Sequence, residues 1–182
     1  APDLVRARGV AVLSLAIESG TMIPGGFGPI TVEELNSTAD DLKAVAEHCL
    51  DIELAHRHDL IAYVNNAAVL LRLCERFAES ERLLLAALPR VGDEPQLRRL
   101  CAFVQSAQNR TGDALALLAD DTDPENQVLR AELRATQGQT AEALRDILSI
   151  DEESLDERLQ AIRWRLVGEM ALRMGNDDQL AR

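Results

Sequence analysis

The feature that most restricts this chain is a helical rhythm interrupted at short intervals. Apolar residues return every three or four positions, as in Val64, Ala67, Ala68 and Leu71 and again in Leu83, Leu84, Ala87 and Leu88. That spacing lines one face of an α-helix. The period-two alternation of a half-buried strand is essentially absent. Leu, Ala, Glu and Arg, all good helix formers, fill most windows. Punctuation is frequent: Asp93-Glu94-Pro95 and Asp123-Pro124 place an acidic cap and a first-turn proline at helix starts. Gly112, Gly138 and Gly175 mark breaks between paired helices. The expected fold class is therefore all-α, with helices near 3–18, 32–56, 58–75, 77–89, 95–109, 112–120, 125–137, 139–149, 155–174 and from 176 onward. The one long loop, Gly20 to Pro29 (20–30 at its widest), is rich in Gly and Pro. Its glycines follow no strand and form no phosphate-binding fingerprint, so it reads as a connector.

Short helical pairs cannot bury an apolar face alone, and they must stack on like neighbours. Glu75–Ser80, Thr111–Ala114 and Gly138–Ala143 are equivalent starts of second helices, which aligns Ser80, Ala114 and Ala143 at separations of 34 and 29 residues. Twelve residues before each stands another small residue, Ala68, Ala102 and Ala131. Gly168, 37 residues after Ala131, belongs to a fourth copy that includes Trp164, Ala171 and Gly175. Small side chains at these positions let helices approach closely.

At these residues the sequence resembles the tetratricopeptide repeat family of helix-turn-helix units. The best copy, Tyr63–Leu88, opens with Asn65-Asn66-Ala67-Ala68 and turns at Arg76-Phe77-Ala78-Glu79-Ser80, similar to the kinesin-light-chain-like subgroup. Further copies are Leu97–Asp121 and Gln127–Ile150, and Trp164–Gly175 opens an incomplete one. The resemblance covers residues 60–182 and implies a right-handed superhelical solenoid of antiparallel helix pairs, three to four repeats long. Residues 1–59 are expected to form a divergent helical pair ahead of the array. Departures from the pattern are Gln105, Arg130 and Arg134 at places that are usually bulky and apolar, and Asp121 at a usually small one. The second repeat also lacks about a turn of its second helix.

In this family the first helices line a groove that holds an extended peptide or a partner's helix. Carried over by register, that face takes Asn65, Val69 and Arg72, then Arg99, Phe103 and Ser106, then Val128 and Glu132, then Arg165, Glu169 and Arg173. Arg72, Arg99 and Arg165 would suit carboxylates, and Phe103 offers an apolar anchor. The implied ligand is a peptide or partner helix with acidic and apolar groups. The Lys/Asn set with which some relatives hold a chaperone tail is not reproduced.

Composition narrows the function further. Lys+Arg number 19 against 31 Asp+Glu, a formal net charge of -12, with Lys43 the sole lysine. Such a balance opposes binding to nucleic acid or anionic membrane, and the apolar stretch Val10 to Ile17 is too short to span a bilayer. Cys49, Cys74 and Cys101 are odd in number, lack a CxxC pair and read as core-filling thiols, which fits a reducing cytoplasm, with the periplasm as the alternative. His48, His56 and His58 lack the paired spacing of a zinc site. No nucleotide-binding, metalloprotease or serine-hydrolase motif occurs, and carboxylate pairs such as Asp40-Asp41 and Glu152-Glu153 read as helix-end or surface charge. No cofactor, no metal and no enzymatic activity are expected. The sequence Asn109-Arg110-Thr111 reads as a turn with Thr111 capping a helix. The function expected is a protein–protein interaction scaffold, with self-association through the incomplete last repeat. The alternative is a regulatory or structural segment of a larger enzyme, sensor or assembly protein.

Overall fold

Helix formation begins with a reciprocal cap at Thr31. The Glu34 N–H donates to Thr31 Oγ1 at 3.1 Å, and the Thr31 N–H donates to Glu34 Oε2 at 2.9 Å. Two backbone donors that no helical carbonyl can reach are thereby satisfied. Helix α1 then runs Val32–Asp51. The structure, a computed structural model, describes the backbone of residues 26–27, 30–52, 56–92 and 94–180, with side chains from Thr31 to Gly175 within those spans. The expected helix at 3–18 and most of the Gly/Pro loop lie outside the described residues.

Seven further helices follow: α2 Arg57–Leu73, α3 Phe77–Val91, α4 Pro95–Ala107, α5 Thr111–Leu117, α6 Pro124–Thr136, α7 Thr140–Ser149 and α8 Glu157–Leu180, the last preceded by a single 3₁₀ turn at Glu152–Ser154. The described chain is all-α apart from one feature. Within the expected connector, β1 (Gly26–Phe27) pairs antiparallel with β2 (Ile30–Thr31), Gly26 opposite Thr31 and Phe27 opposite Ile30.

The chain divides into two compact units, Ala1–Ala107 and Gln108–Arg182. In the first, α1 packs on α2, α2 on α3 and α3 on α4, and α2 also touches α4. Leu35, Leu42, Val64, Leu71, Leu84 and Leu97 are buried there with almost no exposure. In the second, α6 packs on α7, α7 on α8, and α6 also touches α8. Val128, Ala131, Ala143, Ile147, Leu159, Leu166 and Met170 form its core.

Three turns have one conformation. Glu75, Asn109 and Gly138 adopt φ of 59°, 60° and 76°. The residues after them, Arg76, Arg110 and Gln139, cap the next helix at φ/ψ of -85/54, -101/50 and -80/59. These positions repeat at the same separations as Ser80, Ala114 and Ala143, five and four residues ahead of them. In two of the turns a bond spans five residues, Arg76 N to Leu71 O at 2.8 Å and Gln139 N to Arg134 O at 3.0 Å, which closes the preceding helix. The six small residues Ala68, Ser80, Ala102, Ala114, Ala131 and Ala143 are all fully buried. Ser80 Oγ donates to the Ala68 carbonyl at 2.9 Å, tying the two helices of one hairpin together.

Several expectations are corrected. Gly175 does not end a helix; α8 continues through it to Leu180, since an interior glycine costs only about 1 kcal/mol relative to alanine and here takes no left-handed φ. The first long helix stops at Asp51 rather than near 56. Gly112 lies inside α5, and Thr111 is its first residue rather than its cap, which is Arg110. Gly168 is exposed, unlike the six small residues it was aligned with.

Residues that depart from the repeat pattern find polar partners. Gln105 Nε2 donates to Glu81 Oε1 at 3.1 Å, both buried. Arg130 Nε and Arg134 Nη1 converge on Asp146 Oδ2 at 3.0 and 2.5 Å. Asp121 accepts from Asn126 Nδ2 at 2.7 Å and from the Asp123 N–H at 2.9 Å. Buried polar atoms are costly only when unmatched, so Arg130, Arg134 and Asp121 are accommodated by pairing, while Gln105 pairs through Nε2 and keeps a buried Oε1 without a partner.

Candidate functional site

Helices α2 and α4 lie side by side in the first unit, each presenting residues that recur four and then three positions apart. Asn65, Val69 and Arg72 on α2 correspond to Arg99, Phe103 and Ser106 on α4 at a constant offset of 34 residues. Between them lies a cavity of about 270 Å³ lined by Asn65, Val69, Arg72, Gln96, Arg99, Leu100 and Phe103. A shallower recess of about 600 Å³ continues from it, bounded by Arg72, Leu73, Glu75, Phe77, Phe103, Ser106 and Ala107. Arg72 and Phe103 line both.

The chemistry is graded along the groove. Amides (Asn65, Gln96) and a guanidinium (Arg99) stand at one end. Val69, Leu100 and the exposed ring of Phe103 form an apolar middle, and Arg72 with Ser106 forms the other end. Arg72 Nε is buried without a hydrogen-bond partner. A guanidinium N–H in that state costs about 1–3 kcal/mol or more until an acceptor reaches it. Arg99, by contrast, already engages another group of the chain.

All six residues expected from the first two repeats therefore line one surface. Sequence reasoning missed Gln96 and Leu100, which lie one turn before and one residue after Arg99, and the ring of Phe77, which enters from the start of α3. A full helical wheel of α4 exposes the first two; only packing brings in Phe77.

The residues expected from the later repeats fall in the second unit and differ in kind. Arg165 donates to Glu132 Oε1 and to Glu169 Oε1, each at 2.9 Å. Its pKa is raised by the hydrogen bond to Glu169 and then by the two nearby carboxylates, against the opposing pull of desolvation. Arg165 is thus matched by the chain's own acids. Arg173 Nη1 donates to the Ala135 carbonyl at 2.9 Å. Val128, expected on the open face, is instead buried in the core, because α6 turns that edge toward α7 and α8.

A second charged cluster lies elsewhere in the first unit. Glu79 accepts from Arg76 Nε at 2.7 Å and from Lys43 Nζ at 2.6 Å, and Arg76 also reaches Asp40 at 2.7 Å. Bonding to Arg76, then to Lys43, holds the Glu79 carboxyl down to about 2. These groups join α1 to the α2–α3 turn and are matched in charge, so they brace the unit. Of the cysteines only Cys101 is buried; Cys49 and Cys74 are half-buried, because they stand near helix ends, and burial pushes both thiols up. Among the described residues no group of three His, Cys, Asp or Glu could hold a metal ion, and no helix is long and apolar enough to cross a membrane. No family model matches the chain, and no curated protein or solved structure matches it.

Proposed function

We propose that this protein is a protein–protein interaction scaffold that holds an extended peptide, bearing acidic and apolar groups, in the groove between α2 and α4. The observation that carries this reading is Arg72, which with the Phe103 ring lines both recesses and whose Nε is buried without a partner in the chain. A carboxylate is the acceptor best suited to a guanidinium, and Phe103 and Val69 supply apolar cover beside it. The cavity, about 270 Å³, is near the lower end for ligand pockets. It has room for one or two side chains and excludes a helix about 10 Å across.

Tetratricopeptide-like repeats stacked as a superhelical solenoid are the architecture we infer. It is supported by the three turns of equal conformation at repeat spacing, the six buried small residues, and the constant offset between α2 and α4. The three unpaired cysteines favour a reducing compartment such as the cytoplasm.

The test is a selection from a random peptide display library using the whole chain as bait, repeated with Arg72→Ala and with Phe103→Ala. Selected peptides should carry acidic and apolar residues and should bind each variant at least tenfold more weakly. Arg158→Ala, at a residue that lines neither recess, should bind like wild type. Peptides that bind all four proteins equally, or a selection that enriches none, would defeat the reading.

A further inference from the structure

We infer that the wider recess beside Arg72 is a cation subsite, which takes a Lys or Arg side chain of the peptide held between α2 and α4. This deepens the reading above and rests on it: the ligand carries a basic residue beside its acidic one. The recess, about 600 Å³, is bounded by Glu75, Phe77 and Phe103 as well as Arg72. A carboxylate together with aromatic rings is the set that recognises an ammonium or guanidinium. The carboxylate meets the charge and accepts the N–H donors, and the ring faces attract the cation. Aromatic residues are only 3% of this chain, yet two of its three phenylalanines line this one recess.

Two further observations fall on Glu75. It is exposed, and among the described residues its carboxylate makes no salt bridge and no hydrogen bond, although Arg72 stands three positions before it. Its backbone adopts φ of 59°, whereas the equivalent positions of the other two turns are Asn109 and Gly138. Asparagine and glycine tolerate that left-handed conformation far better than glutamate does. A strained residue whose charge is unmatched at the edge of a recess points to a task for its side chain there.

The linings also order the ligand. Arg99 lines only the narrower cavity and Glu75 only the wider recess, with Arg72 common to both. The basic side chain therefore lies on the side of Arg72 away from Arg99, which limits repulsion. The Glu75 N–H donates to the Arg72 carbonyl at 3.0 Å, so their Cα atoms lie within about 7 Å. Side chains on one face of an extended peptide repeat every ~6.6 Å. The acidic and basic residues of the ligand are accordingly expected two positions apart.

The test is selection from a random peptide display library on the whole chain and on Glu75→Gln and Glu75→Lys. Enriched peptides are then remade with acetylated amino termini, so that only side chains carry positive charge. Wild type should enrich Lys or Arg two positions from the acidic residue. Replacing that basic residue by norleucine should weaken binding about fivefold, the size of an exposed ion pair with a cation–π contact. Glu75→Gln keeps the side-chain shape and should unfold at the same urea concentration as wild type. It should bind the basic peptide about fivefold more weakly and the norleucine peptide as wild type does. Glu75→Lys should select an acidic residue in place of the basic one. Acidic and apolar peptides with no basic preference would overturn the cation subsite and leave the groove reading standing, as would a basic peptide that binds Glu75→Gln as tightly as wild type. A selection that enriches nothing would overturn both.

Discussion

The carboxylate of Asp146 is the most exacting test of how this chain accommodates arginine inside a repeat. Its side chain is 12% exposed, and Arg130 and Arg134 around it are 11% and 29% exposed. Asp146→Ala leaves two guanidiniums without their shared anion. Breaking a fully buried pair from one side costs about 3–5 kcal/mol. Here the cost is smaller: Arg130 keeps the Leu118 and Ala119 carbonyls at 3.0 and 2.8 Å, and the more exposed Arg134 rehydrates. About 2 kcal/mol is therefore expected. With an m-value of about 2 kcal/mol/M, the urea midpoint of the second unit falls by about 1 M. Trp164 lies in that unit, and its emission follows the unfolding. The cycle with Arg130→Ala should give a coupling of about 1 kcal/mol or more. The pair Arg130→Met with Asp146→Leu should return close to wild-type stability, since a shape-matched apolar pair avoids the desolvation of both charges. A loss under about 0.5 kcal/mol for Asp146→Ala, or a coupling near zero, refutes the idea that the triad is a matched unit rather than three surface charges.

Three further outcomes follow from local geometry. Glu75 pays for a left-handed φ that glycine adopts freely, so Glu75→Gly should stabilise the first unit by up to about 1 kcal/mol in chemical denaturation, and any clear destabilisation contradicts the strain assignment. Ala131→Leu inserts bulk at a fully buried helix contact and should cost about 1–3 kcal/mol, whereas the same change at exposed Ala171 should be nearly neutral; equal effects would remove the close-approach argument. Glu79 has its folded-state pKa depressed to about 2, so its contribution is complete above the ordinary carboxylate value near 4.5 and fades as pH falls toward 2. The group is partly solvated, which limits the effect to about 1 kcal/mol. Glu79→Gln should flatten the stability profile of the first unit over that window and leave the slope above pH 6 unchanged.

What the sequence determined by itself is local. The three-to-four-residue spacing of apolar groups, the Asp123-Pro124 cap, whose carboxylate accepts the Asn126 N–H at 3.1 Å, and the paired small residues all turn on chemistry within a few positions. They placed six of the eight described helices to within a few residues and assembled the face from Asn65 to Ser106. Its lapses are also physical. Gly175 reads as a stop, but glycine ends a helix only where the backbone turns left-handed, and nothing in Gly175-Asn176 forces that turn. Only tertiary packing decided that Gln105, Arg130 and Asp121 belong inside, because each sits beside a partner 24, 16 or 5 residues away that no helical period predicts. Packing likewise left Arg72 Nε unmatched while Arg165 met two carboxylates, although the repeat pattern put both arginines on the same expected face. A side chain's position on a helix follows from the sequence around it, but whether its charge is matched depends on neighbours brought by other helices.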